Sequence, residues 1–311
     1  MSLGQVLDRV YRLVRGYWRL FLGVAIVPTV MVMMPMFAAG AWWFTIMLPQ
    51  IASQSGAKPH IPIYFSFVFL GCDLVLIPVY AFYAPAGIYA AIQANLGVKI
   101  TIRQAYSVAW RNYGRYLWLM VVVSLYILIP LTVAGLLIGG GAFLLLHGAQ
   151  PDSARAASIL LIPAGILAPF GILVYFVLVI LRFAVAYPAA VAEGISARAA
   201  LRRSASLTRG ARGRIFVVLL VVYLCAYVAS MVLMIAVGLI VSICALAALA
   251  VHVAVGSAAF YTLIALAVIV YALVIVVYAA VVYAAMSAAL AVIYHDQRWR
   301  KDGVFSSALS A

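Results

Sequence analysis

The chain has 311 residues, 69% of them hydrophobic, with 20 Lys and Arg against 6 Asp and Glu and a formal net charge of +14. A mean hydropathy of +1.22 excludes a soluble globular domain, and basic residues gathered at the ends of apolar runs point to anionic lipid headgroups and away from nucleic acid. Several of those runs exceed the roughly 20 residues needed to cross a hydrocarbon core, so the fold class read here is an all-α polytopic membrane protein.

The first stretch is not a cleavable signal peptide. Leu3, Val6, Leu7, Val10, Leu13, Val14 and Tyr17 recur at helical spacing, with Asp8, Arg9, Arg12, Arg15 and Arg19 on the other side, which is the pattern of a basic amphipathic helix lying on a membrane face. The apolar run to about Leu48 is too long for a signal h-region and reads as the first span, kinked at Pro28 and Pro35. A polar loop from Pro49 to Pro62 leads to a second span, about Ile63 to Gln93. Thr101 can cap a second amphipathic helix, followed by a third span from about Tyr116 to Leu146 and a fourth from about Ile159 to Val191. Next comes EGISARAALRRSASLTRGARGR, Glu193 to Arg214, with six arginines. Ser196 is its expected N-cap and Gly210 its expected C-terminal stop. Arginine at a bilayer centre costs about 2.5 to 3.5 kcal/mol on insertion scales, so this segment belongs at the surface. The fifth span covers about Ile215 to Ala247 and the sixth about Ser257 to Tyr294, before the polar tail from 296 to 311.

Charge sets the expected orientation. Seventeen of the 20 Lys and Arg fall in the N-terminal helix, residues 99–115, residues 198–214 and the tail. The positive-inside rule then places both termini on the cytoplasmic side of the membrane. The order of one amphipathic helix and two spans occurs three times, with Arg19, Arg115 and Arg214 in register at steps of 96 and 99 residues. This reads as a single domain of three repeat units, 1–96, 97–193 and 194–295.

Few residues could carry chemistry. Asp73 and Arg182 are the formal charges deep within spans, which makes them functional candidates. At 1.5 Å per residue they lie about 30 and about 15 Å from the basic helix ends, too far apart for a direct ion pair, and Arg182 is expected to snorkel toward the interface. Glu193 is expected either to favour the dipole of the helix that follows or to pair with a neighbouring arginine. His60, His147 and His252 fall one to each outer loop as conceivable metal ligands, but their spacings do not repeat, and no metal or other cofactor is expected. Cys72, Cys225 and Cys244 sit within apolar runs, where thiols act as small hydrophobes. In the sixth span Ala280, Ala284 and Ala288 have the small-xxx-small spacing of a packed helix interface. Arg9, Arg12, Arg15, Arg19, Arg103, Arg111, Arg115, Arg198, Arg202, Arg203, Arg209 and Arg214 are the expected anionic-lipid contacts. No Walker loop, nucleophile elbow or carboxylate dyad occurs.

Arg182, Phe183, Pro188, Glu193, Gly194, Ser196, Ala200, Ser204, Leu207, Thr208 and Gly210, with Tyr294, Asp296, Arg298 and Gly303, form a pattern that resembles the six-span membrane domain found with bacterial glycerophosphoryl diester phosphodiesterases. The resemblance implies a membrane module for lipid or headgroup metabolism. The fused enzymes hydrolyse with a separate barrel, and this chain ends at Ala311 without one, so the expectation is a non-enzymatic lipid-interacting scaffold with a possible membrane or cytoplasmic protein partner. The alternative is a transporter or channel with Asp73 in its path.

Overall fold

A computed structural model of the protein describes residues 2–42, 63–147, 151–250 and 258–303, and among them every regular element is an α-helix. In chain order these are α1 (Leu3–Gly16), α2 (Trp18–Trp42), α3 (Ile63–Asn95), α4 (Ile102–Arg111), α5 (Tyr113–His147), α6 (Pro151–Phe183), α7 (Ala186–Glu193), α8 (Ala197–Thr208), α9 (Arg212–Ala250) and α10 (Ala258–Asp302).

The short amphipathic helices start where hydroxyl side chains can accept the orphan N–H groups of a first turn. Ser2 Oγ accepts from the Gln5 amide, Thr101 Oγ1 from that of Gln104 and Ser196 Oγ from that of Ala199. The first two are reciprocal capping boxes, with the glutamine side chain returning to the cap N–H. Each short helix then breaks within a few residues and a long apolar helix begins; α1 meets α2 at 79°. Among the described residues four stretches can cross a membrane by length and composition, Tyr113–Leu136, Leu167–Glu193, Arg212–Ile240 and Ile269–Asp302, and a fifth if α1 and α2 count as one bent span.

Two departures from the sequence reading have local causes. The fourth apolar run is broken at Ala184 and Val185. Pro188 explains this, because its ring has no N–H for the carbonyl four residues back and collides with it. Residues 295–302, read as the start of a polar tail, instead extend α10. They are tied by the i,i+4 pairs Asp296–Arg300 and Arg298–Asp302 and by Lys301 Nζ donating to the Ser206 and Arg209 carbonyls.

The long helices pack around α10 and α3. α10 contacts α2, α3 and α9, and α3 contacts α2, α5 and α7; α1 lies across α9 and α10, α4 across α2 and α3, and α8 across α5, α6 and α7. The core gathers at this basic end, with Val6, Val10, Phe21, Val24, Leu207, Ile215, Val292 and Tyr294 buried. Ala280, Ala284 and Ala288 are buried on α10, the close approach that small residues allow. At the same contact Tyr283 donates to the Tyr83 carbonyl at 2.6 Å and stacks on the Tyr83 ring at 3.9 Å. A Cβ on Gly87 would lie 1.9 Å from the Tyr283 hydroxyl, so only glycine fits there. Away from that end, α5, α6 and α9 turn large apolar side chains outward, among them Leu136, Phe170, Val232 and Leu239, a surface that only lipid can cover without cost.

Candidate functional site

Because each short helix bridges two long ones, a space is framed beneath each of the three, open beneath α8 and α1 and filled beneath α4. Beneath α8 it is an open cleft of about 670 Å³. Trp118, Val122 and Tyr126 line one wall from α5, spaced four residues apart and therefore on one face. α8 supplies Arg198, Leu201, Arg202 and Ala205, a single helical stripe, and the end of α6 adds Arg182 and Phe183. The Arg182 guanidinium stands 5.5 Å over the Phe183 ring, a cation–π placement. Its carbonyl accepts from Ser204 Oγ at 2.9 Å and Thr208 Oγ1 at 3.4 Å, which fastens α8 to α6 where the helix breaks. Arg182, Arg198 and Arg202 are all exposed, and among the described residues none of them is paired with a carboxylate.

A second group of arginines, between α8, α9 and α10, is fully committed. Arg203 bridges two acids: its Nε meets Glu193 Oε1 at 3.2 Å and its terminal nitrogens meet the Asp302 carboxylate as a fork. Hydrogen bonding to Asp302, then to Glu193, holds the Arg203 guanidinium above its ordinary value despite partial desolvation. Tyr294 donates to Glu193 Oε1 at 2.7 Å. Asp296, 2% exposed, is held by Arg214 and Arg300, each at 3.2 Å. Glu193 therefore takes the pairing role, and the two stretches that carry the family resemblance meet here, with Gly194, Gly210 and Gly303 all at positive φ.

The other basic residues are spread. Arg9 donates to the Asn95 side chain at 2.7 Å and Arg115 to the Gly194 carbonyl at 2.7 Å; both sit where a helix ends and its carbonyls need donors. Arg19 lies 5.4 Å over Trp18, Arg12 pairs with Asp8, and Arg15 donates to Tyr11. Arg103, Arg111 and Arg209 are exposed. Asp73 lies on α3, but its side chain falls outside the described residues, as do His60, His252 and the His147 side chain. Arg182 shares its cleft with Arg198 and Arg202.

The remaining two crevices are different in kind. Beneath α1, about 390 Å³ is lined by apolar groups that include Leu7, Tyr11, Val222 and Tyr278. Beneath α4 the space is filled: Tyr106 stacks on Phe82 at 5.4 Å and donates to the Val24 carbonyl at 2.6 Å, and Trp110 meets Phe82 edge-on at 5.8 Å. Counted from the caps, Tyr11, Trp110 and Ala205 hold the same position on their helices.

Chemically, the α8 cleft offers three cations and aromatic faces, and no carboxylate, imidazole or thiol among its lining residues. Its chemistry is that of an anion-binding site. Sequence reading missed Trp118, Tyr126 and Ala205, although the four-residue spacing on α5 and the Arg198–Arg202 stripe were there to be read. Comparison with protein-family models, curated proteins and solved structures returned no match to this chain.

Proposed function

We propose that the protein is a non-enzymatic integral membrane protein of a bacterial cytoplasmic membrane, with six spans and both termini inside. Its basic end engages anionic lipid, and it serves as a scaffold or partner module for lipid and headgroup metabolism. The observation that carries this reading is the trio Arg182, Arg198 and Arg202, which among the described residues meets no carboxylate, in a cleft whose lining has no acid. Guanidinium groups without a carboxylate partner at a membrane surface are matched by phosphate.

Six spans in three units are supported by the recurrence of cap, short helix, break and long helix from Ser2, Thr101 and Ser196. The contacts recur as well: α4 rests on the two long helices of the first unit, α8 on those of the second and α1 on those of the third. Such a cyclic pattern fits a pseudo-threefold axis along the membrane normal.

The test is reconstitution with spin-labelled phosphatidylglycerol or phosphatidylcholine. A larger motionally restricted fraction for phosphatidylglycerol, shrinking as salt rises, is expected; equal fractions would overturn the lipid reading. Cysteines introduced beside Arg103, Arg203 and Lys301 should resist an impermeant reagent added outside intact cells, and labelling of any one sinks the orientation.

A further inference from the structure

We propose that the α8 cleft and the α5–α6 seam adjoining it form a single seat for one anionic glycerophospholipid, with its phosphate against Arg182, Arg198 and Arg202 and one acyl chain lying along the seam. The proposal deepens the lipid reading above and rests on it. The cleft does not end at its arginines. Val122 and Tyr126, which line it, also line an apolar groove of about 270 Å³ with Ile129 and Tyr175. Pro130 and Tyr175 carry that groove into a further pocket of about 190 Å³ beside Gly171 and Ile172. The wall from Val122 to Leu131 is about 14 Å long at 1.5 Å per residue, a path with charge at one end and hydrocarbon at the other.

Charge complementarity and this polarity select the occupant. A soluble anion has no use for the groove, and an acidic peptide cannot follow it into the apolar zone, whereas a lipid with a net-negative headgroup satisfies both ends. The seam stays open for local reasons. Tyr175 spends its hydroxyl on the Tyr126 carbonyl at 2.8 Å, leaving its ring as wall. A Cβ on Gly171, which lines the pocket, would meet nothing within 4 Å. Trp118, half exposed, lies in the first turns of α5, the kind of position where an interfacial tryptophan is favoured.

Native mass spectrometry with dioleoyl phosphatidylglycerol added to the detergent-purified full chain is the test, with phosphatidylcholine as reference. The wild type should retain one phosphatidylglycerol. R182Q/R198Q/R202Q should weaken retention about a hundredfold, about fivefold for each lost surface cation. K99Q/R212Q, removing charge from exposed positions outside the cleft, should leave it unchanged. Gly171→Phe should also weaken retention, with the thermal midpoint held, because the ring enters open groove. Free glycerol phosphate should not compete at the concentration where the lipid saturates. Equal loss per charge in both charge variants overturns the seat while the general lipid preference stands. No preference for phosphatidylglycerol in the wild type overturns both. Full retention by Gly171→Phe, or competition by free glycerol phosphate, removes the acyl chain from the groove and overturns the proposal as stated.

Discussion

The crevice beneath α8 and the crevice beneath α1 are bounded by the same kinds of helix, one short and amphipathic and two long and apolar, yet the first is basic and the second is not. Two and six residues after its cap, α8 places Arg198 and Arg202; at the same positions α1 has Gly4 and Asp8. Beneath α4 a third version is closed by Tyr106 and Trp110. The difference teaches that the scaffold creates the space and a handful of side chains decides its use. Arginines divide in the same way: those facing α10 find Glu193, Asp296 and Asp302, while those facing α5 find no acid.

The largest expected effect lies on the paired side of that contrast. Asp296→Asn leaves Arg214 and Arg300 around a neutral amide in a buried position, and should cost about 3 kcal/mol, read as a lowered unfolding midpoint in detergent with lipid retention intact. Reopening the filled crevice comes next. Tyr106→Ala removes a ring and a hydrogen bond and should cost about 2 kcal/mol, while Tyr106→Phe, which loses only the hydroxyl, should cost about 1 kcal/mol in the same assay. Closing the open crevice tests the converse. Ala205→Trp copies Trp110 onto α8 and should change stability by less than about 0.5 kcal/mol while abolishing retained phosphatidylglycerol in native mass spectra. The smallest effect on the fold is expected from Gly4→Arg with Asp8→Arg, because Gly4 faces open space and the Asp8–Arg12 pair is exposed and worth about 0.3 to 0.5 kcal/mol. This double variant should acquire a second retained anionic lipid; if it does not, arginine position alone is insufficient to make a seat.

Much of the fold was legible before any coordinates. Apolar runs marked the long helices, and Ser196 and Gly210 marked the start and stop of α8 within a residue or two, because capping chemistry is local. Pro188 broke a run that hydropathy alone had joined, since a window average does not register one missing N–H. The site was legible only in part. Arg198 and Arg202 stood out as charge among apolar neighbours, but Trp118 and Tyr126 did not, because an aromatic on a long apolar helix looks the same whether it faces lipid, a neighbour or a cleft.

The sequence by itself determined that the long helices are apolar and where α4 and α8 start, since hydropathy and the chemistry of a cap act within one segment. Only the tertiary structure decided which arginines are neutralised and which are left facing a cleft. That outcome depends above all on the Asp302 carboxylate of α10, 99 residues from Arg203, brought to one side of α8 and not the other by the packing of the long helices.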